Sequence, residues 1–114
     1  CQVLSGRMKP SSELPMHLAI YRKRPDVSAI IHTHPPVSTA FSVARISLSE
    51  PVLPEVILGF GDIPIAPYAT PGTPEGAQIL DTIIDTHDVV ILDHHGAVAV
   101  GATLEEAYQK MERL

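Results

Sequence analysis

The residues with the clearest capacity for chemistry are two histidines one residue apart, His32 and His34, in the stretch AIIHTHPP (Ala29 to Pro36). On a β-strand, residues i and i+2 face the same way, roughly 6.5–7 Å apart along the backbone. On a helix they would point about 200° apart and could not meet at one point. On one strand end the pair forms a pincer, and neutral imidazoles so placed most often hold a metal. A catalytic zinc takes three protein ligands and leaves a fourth position for water or substrate. The third donor should then come from a neighbouring strand end far along the chain, and DHHG (Asp93 to Gly96) offers two histidines there. Residue types and spacing alone do not choose between His94 and His95.

Other polar residues carry plainer readings. Glu13 opens a predicted helix, where an anion is favoured by the helix dipole whether or not it does chemistry. His17 falls on the apolar face of that helix and reads as a packed histidine. His87, beside Asp88 at a helix-to-strand turn, reads as solvated. Asp93 can orient a neighbouring histidine, but a strand-end carboxylate is as often just exposed. The charges of YRKR and ERL read as solvated helix faces.

Interleaved helices and strands must position these groups. SSELPMHLAIYRKRP reads as a first helix, with Ser12 as cap, Pro15 in the first turn, and Leu14, His17, Leu18 and Tyr21 at helical spacing. VSAIIHTH follows as a strand. PPVSTAFSVAR is a second helix with an expected inward stripe of Val37, Ala40, Phe41 and Ala44. EPVLPEVIL and DIPIAPY read as short extended segments, confined by their prolines to edges or bulges. GTPEGAQILDTIIDTHD gives a third helix capped by Thr73, with Pro74 at its first position and Leu80, Ile83 and Ile84 inward. VVILDHHG is an apolar strand, and AVAVG is expected to pair beside it across a turn at Gly96. TLEEAYQKMERL opens with a capping box of Thr103 and Glu106 and should bury Leu104, Ala107, Tyr108 and Met111. The alternation predicts an α/β fold with a largely buried sheet.

Composition narrows the function classes. The chain has 114 residues, one domain's worth, of which 45% are hydrophobic. No apolar run reaches the roughly 18 residues of a membrane helix. Its 8 Lys and Arg are spread out and the formal charge is −5, so there is no nucleic-acid footprint. A lone cysteine, Cys1, rules out an internal disulfide framework and fits a reducing cytoplasm.

Three phrases in register, PSSELPMHLAIYRKRPDVSAIIHTHPP, IPIAPYATPGT and DHHGAVAVGATLEEAY, resemble the class II aldolase/adducin family, and within it the L-fuculose-1-phosphate aldolase type. The resemblance runs from about Gly6 to the last residue. It implies a central, largely antiparallel or mixed sheet flanked by helices. By this likeness His32, His34 and His95 bind a divalent metal, usually zinc, with Mn²⁺ or Co²⁺ as substitutes, and His94 does not. Glu13 joins the metal at rest and becomes the acid/base when substrate displaces it. The implied reaction makes or breaks a C–C bond in a ketose phosphate through an enediolate whose oxygens a Lewis-acidic metal chelates. The likeness also implies a cytoplasmic homotetramer with active sites at subunit interfaces.

The family's phosphate-binding loops lie upstream of the SSE phrase, and one contributing tyrosine lies in a C-terminal tail. Residues 1–114 are therefore expected to be a single family-like domain that is part of a longer chain. A second family tyrosine has no counterpart between Leu48 and Asp62. L-Ribulose-5-phosphate 4-epimerases resemble the chain but have Asp where Glu13 stands. Methylthioribulose-phosphate dehydratases keep the Glu, whereas non-catalytic adducin-head modules lose the metal histidines that are present here.

Overall fold

The computed structural model describes residues 4–48 and 54–114. Helix α1 (Leu14–Lys23) leads into strand β1 (Ala29–Thr33) and helix α2 (Pro36–Val43). Helix α3 (Pro54–Phe60), a two-residue strand β2 (Ile65–Ala66) and the short helix α4 (Pro74–Gln78) follow. Strands β3 (Val89–Leu92) and β4 (Gly96–Gly101) and helix α5 (Leu104–Arg113) complete the chain. The four strands form one sheet in the order β1-β4-β3-β2. β4 runs antiparallel to both β1 and β3, and β2 runs parallel to β3. The sheet is mixed and flanked by helices, as the sequence led us to expect.

The two faces of the sheet follow from the period-two alternation of its strands. Val90, Leu92, Val98 and Val100 pack with Met16, Ile20, Leu80 and Ile84 on one side. Val89, Ile91, Ala97 and Ala99 pack with Ile63 on the other, beside Met111 and Leu114. Every residue of β3 and β4 is buried, which is why both read as continuous small-apolar runs. In the β1–β4 register His32 lies opposite Val98 and so shares the α1 face, whereas Thr33 lies opposite Ala97. Thr33 donates its hydroxyl to Met111 Sδ on α5 at 3.1 Å.

Several sequence expectations need correction. The segment from Pro54 is helical, not extended; Pro54 opens the helix, where its missing N–H costs nothing. The earlier part of that phrase, residues 50–53, lies outside the described residues, as does Cys1. DIPIAPY is extended as expected and forms β2. The third helix is capped by Thr73, which accepts from the Gly76 N–H at 3.2 Å, but α4 stops at Gln78 and continues as turns that still bury Leu80 and Ile84.

Helix faces differ most from expectation. α1 buries Met16 and Ile20 while Tyr21 is exposed. Its cap is Glu13, whose N–H donates to Ser11 Oγ at 3.2 Å, in place of a Ser12 cap. α2 buries Ser38 and Ser42 and leaves Val37, Ala40 and Ala44 exposed, so its expected stripe is on the wrong side. α5 buries Ala107 and Lys110, while Leu104 and Tyr108 face outward. Lys110 is held there because Nζ donates to Asp88 at 2.8 Å, to Glu106 at 2.6 Å and to the Val100 carbonyl at 3.1 Å. Arg24, read as part of a solvated face, joins the same network through Asp88 at 3.0 Å and Asp26 at 2.7 Å.

Burial alone would raise the Asp88 carboxyl and lower the Lys110 ammonium. Their mutual bond, with Arg24 and Glu106, outweighs it, so Asp88 stays below and Lys110 above its ordinary range.

Candidate metal centre

β1 carries His32 on its last hydrogen-bonded stretch and hands His34 to the loop beyond it, so both rings emerge at one end of the sheet. The β3–β4 turn, Asp93 to His95, emerges at the same end because β4 runs antiparallel to both neighbours. One ring nitrogen from each of His32, His34 and His95 lies within 4.8 Å of the others, a grouping that could hold a metal ion. The ring centroids of these three residues stand 4.9 Å apart in each pairing.

The ring orientations bear on what the cluster could hold. His32 Nδ1 lies 2.9 Å from the Ala97 carbonyl, an acceptor only, so Nδ1 carries the proton and donates it. In the neutral ring Nε2 is then the lone-pair nitrogen, and it is buried with no hydrogen-bond partner among the described residues. A buried acceptor left unpaired costs roughly 1–3 kcal/mol. The His95 imidazole is pushed toward its neutral form, first by burial and then by the nearby His32 and His34, with Glu13 opposing. Three imidazole nitrogens gathered this closely, one of them orphaned, suit a borderline divalent cation.

Gly96 makes the convergence possible. A Cβ there would strike the Thr33 carbonyl oxygen and come within 2.6 Å of His34 Cδ2. The expected turn glycine is thus a strand residue needed for close approach, and the left-handed turn position belongs to His94, at φ 56°. That backbone throws the two adjacent histidines different ways. His94 Nδ1 lies 2.7 Å from Asp93 Oδ1, and its ring meets Tyr68 edge-on with centroids 6.3 Å apart. Asp93 therefore orients His94, not a member of the cluster.

Glu13 is half-buried at the start of α1 and lines a small cavity with His95, Met16 and Asp93. It is not part of the histidine cluster itself. His17, one turn further along α1, is half-buried with its ring edge-on to His32 at 6.4 Å. Burial, and after it the neighbouring His32, hold it toward neutrality, against Glu13. His87 is not simply solvated: its ring nitrogens lie 3.1 Å from Asp62 and 3.1 Å from the Ile83 carbonyl.

The Ala97 carbonyl, the Ser42 hydroxyl and Tyr68 border the cluster or its turn without having been singled out in the sequence. A main-chain oxygen leaves no sequence signal, and Ser42 sits on a helix face expected to be outward.

The family of class II aldolase and adducin N-terminal domains matches residues 1–114. This chain belongs to that family. Among its relatives, the L-fuculose phosphate aldolase of Methanococcus vannielii is 45% identical over 106 residues, covering 93% of this chain and 57% of the relative. The 3-oxo-tetronate 4-phosphate decarboxylase of Escherichia coli is 37% identical over 115 residues, covering 97% and 54%. A solved L-fuculose 1-phosphate aldolase superposes with a TM-score of 0.86 at 34% identity, covering 96% of this chain and 51% of that one. The chain thus spans about half the length of the curated relatives it matches. Among the described residues, no helix is long and apolar enough to cross a membrane.

Proposed function

We propose that this domain forms the metal-binding half of a divalent-metal-dependent lyase that makes or breaks a C–C bond in a small sugar phosphate, in the manner of a fuculose-phosphate aldolase. The observation carrying this reading is the convergence of three imidazoles, one with an orphaned buried nitrogen, beside a half-buried carboxylate. His32, His34 and His95 would hold the cation, zinc foremost and Mn²⁺ or Co²⁺ in its place. Such a cation supplies the positive charge against which an enediolate's oxygens are stabilised. Glu13 would complete the ligand set at rest and move the proton during turnover, a role supported by the small cavity it lines with His95. His32 keeps its Nε2 free for the metal by donating Nδ1–H to Ala97, a bond that also fixes the ring plane.

The wider reading follows from the family likeness. The protein acts in the cytoplasm as a homotetramer with sites at subunit interfaces. Residues outside this domain hold the substrate phosphate, and no nucleic acid or membrane takes part.

A second reading is decarboxylation, which the E. coli relative's name supports and which the sequence did not suggest. A 3-oxo acid losing CO₂ leaves an enolate, so the same charge stabilisation serves both reactions. Epimerase chemistry is disfavoured by Glu13 in place of Asp. Dehydratase chemistry remains compatible with the Glu, and a non-catalytic adducin-head role is disfavoured by the intact histidine set.

The test is to offer the full-length protein dihydroxyacetone phosphate with a panel of aldehydes and, separately, 3-oxo-tetronate 4-phosphate, each with and without chelator. Chelator-sensitive condensation supports the aldolase reading. CO₂ release without condensation would replace it with the second.

A further inference from the structure

We infer that Ser42 is a positioning residue for the metal centre, its buried hydroxyl holding the β3–β4 turn in the backbone conformation that directs His95 toward His32 and His34. The inference rests on reading the three histidines as a metal site. Ser42 is 1% exposed on the inward face of α2. Its hydroxyl donates to the Thr39 carbonyl at 2.8 Å, which orients the oxygen lone pairs away from the helix. The His94 N–H donates to that oxygen at 3.1 Å. His94 is the residue in the left-handed region, a conformation unfavourable for a side chain with a Cβ. The turn is tied again where Asp93 N–H donates to the Ala66 carbonyl at 3.1 Å and His95 N–H to the Leu92 carbonyl at 3.1 Å. Of these three bonds, the Ser42 bond alone reaches across to α2, the helix that follows the strand end bearing the other two histidines.

That element gives the contact its consequence. α2 begins at Pro36, directly after His34 and Pro35. One rigid helix therefore springs from the His32–His34 strand end and grips the turn that carries His95. Ser38 is an internal control. It is equally buried, at 1%, but among the described residues its hydroxyl reaches only the Pro35 carbonyl next to its own helix, at 3.5 Å.

The experiment compares Ser42→Ala, Ser38→Ala and the double variant Ser42→Ala/His94→Gly in the full-length protein. Two readouts are taken: Co²⁺ dissociation constants from the visible spectrum, and exchange of the His94 amide in the metal-free protein. Removing a group that orients a metal ligand typically weakens binding 10–100-fold. Ser42→Ala should weaken Co²⁺ binding about tenfold and speed His94 amide exchange about tenfold, while Ser38→Ala changes each less than about twofold. In the double variant, glycine removes the penalty of the left-handed backbone, so Co²⁺ affinity should return to within about threefold of wild type. Equal Co²⁺ affinity and equal exchange in Ser42→Ala and wild type would overturn the inference, as would equal losses in the two serine variants. Wild-type protein that takes up no Co²⁺ would instead overturn the metal reading. In that case faster exchange in Ser42→Ala alone would still support the clamp, and unchanged exchange would overturn it too.

Discussion

Adding one methyl group at Gly96 should damage the proposed metal centre more than the fold. A Cβ built there meets the Thr33 carbonyl oxygen and stands 2.6 Å from His34 Cδ2. Carbon atoms in ordinary contact sit about 3.5–4.0 Å apart, so the end of β1 must retreat from β4 by about 1 Å. Metal–ligand distances tolerate only about 0.2 Å. Two of the three rings, His32 and His34, ride on the strand end that moves. In Gly96→Ala the overpacking should lower stability by about 1–3 kcal/mol, while zinc affinity falls by at least about tenfold, the lower bound for disturbing a ligand's support. Urea denaturation with chelator present isolates the stability change, and competition against a chromophoric chelator gives the affinity. Gly96→Ala with wild-type zinc affinity would show that the close approach of β4 to the His34 backbone does not set the site.

Three further outcomes follow from the geometry. Glu13→Gln keeps the size and a neutral oxygen but cannot carry a proton, so metal should remain while kcat and kcat/KM fall roughly 10²–10⁴-fold; near-normal kcat would reduce Glu13 to a helix-start anion. Lys110→Met removes the charged partner of Asp88 and Glu106, and because Asp88 is 34% exposed and keeps Arg24, the loss at neutral pH should be about 1–2 kcal/mol by urea denaturation. Asp88 has its folded pKa below the unfolded value, so the stability it contributes is present above about pH 4 and lost as pH falls through the folded value. The gap between wild type and Lys110→Met should accordingly close in acid, and a gap independent of pH would show that Asp88 is not the partner that matters.

Strands β3 and β4 were legible because they are buried on both faces and leave uninterrupted apolar runs such as VVIL. His32 and His34 were legible as a pair for a different reason, since the period of two along β1 carries on to the first residue beyond it. The helix faces were not, because amphipathicity assumes that apolar residues go inward. In α2 the inward positions are serines that bond the backbone, and in α5 an inward lysine is neutralised by Asp88 and Glu106, which lie 22 and 4 residues away along the chain. Prolines in EPVLPEVIL argued for extension, yet proline is equally at home in a first helical turn. The choice of His95 over His94 depended on family likeness, because the turn's left-handed residue is a histidine, a position the sequence suggested glycine would fill.

Metal content measured on purified full-length variants bears most directly on the central claim. Wild type and His94→Ala should each retain about one divalent cation per chain, because His94 points at Asp93 and not into the cluster. His32→Ala, His34→Ala and His95→Ala should each lose it while remaining folded, since two imidazoles hold a catalytic zinc too weakly. Loss of metal in His94→Ala with retention in His95→Ala would contradict the account at its centre.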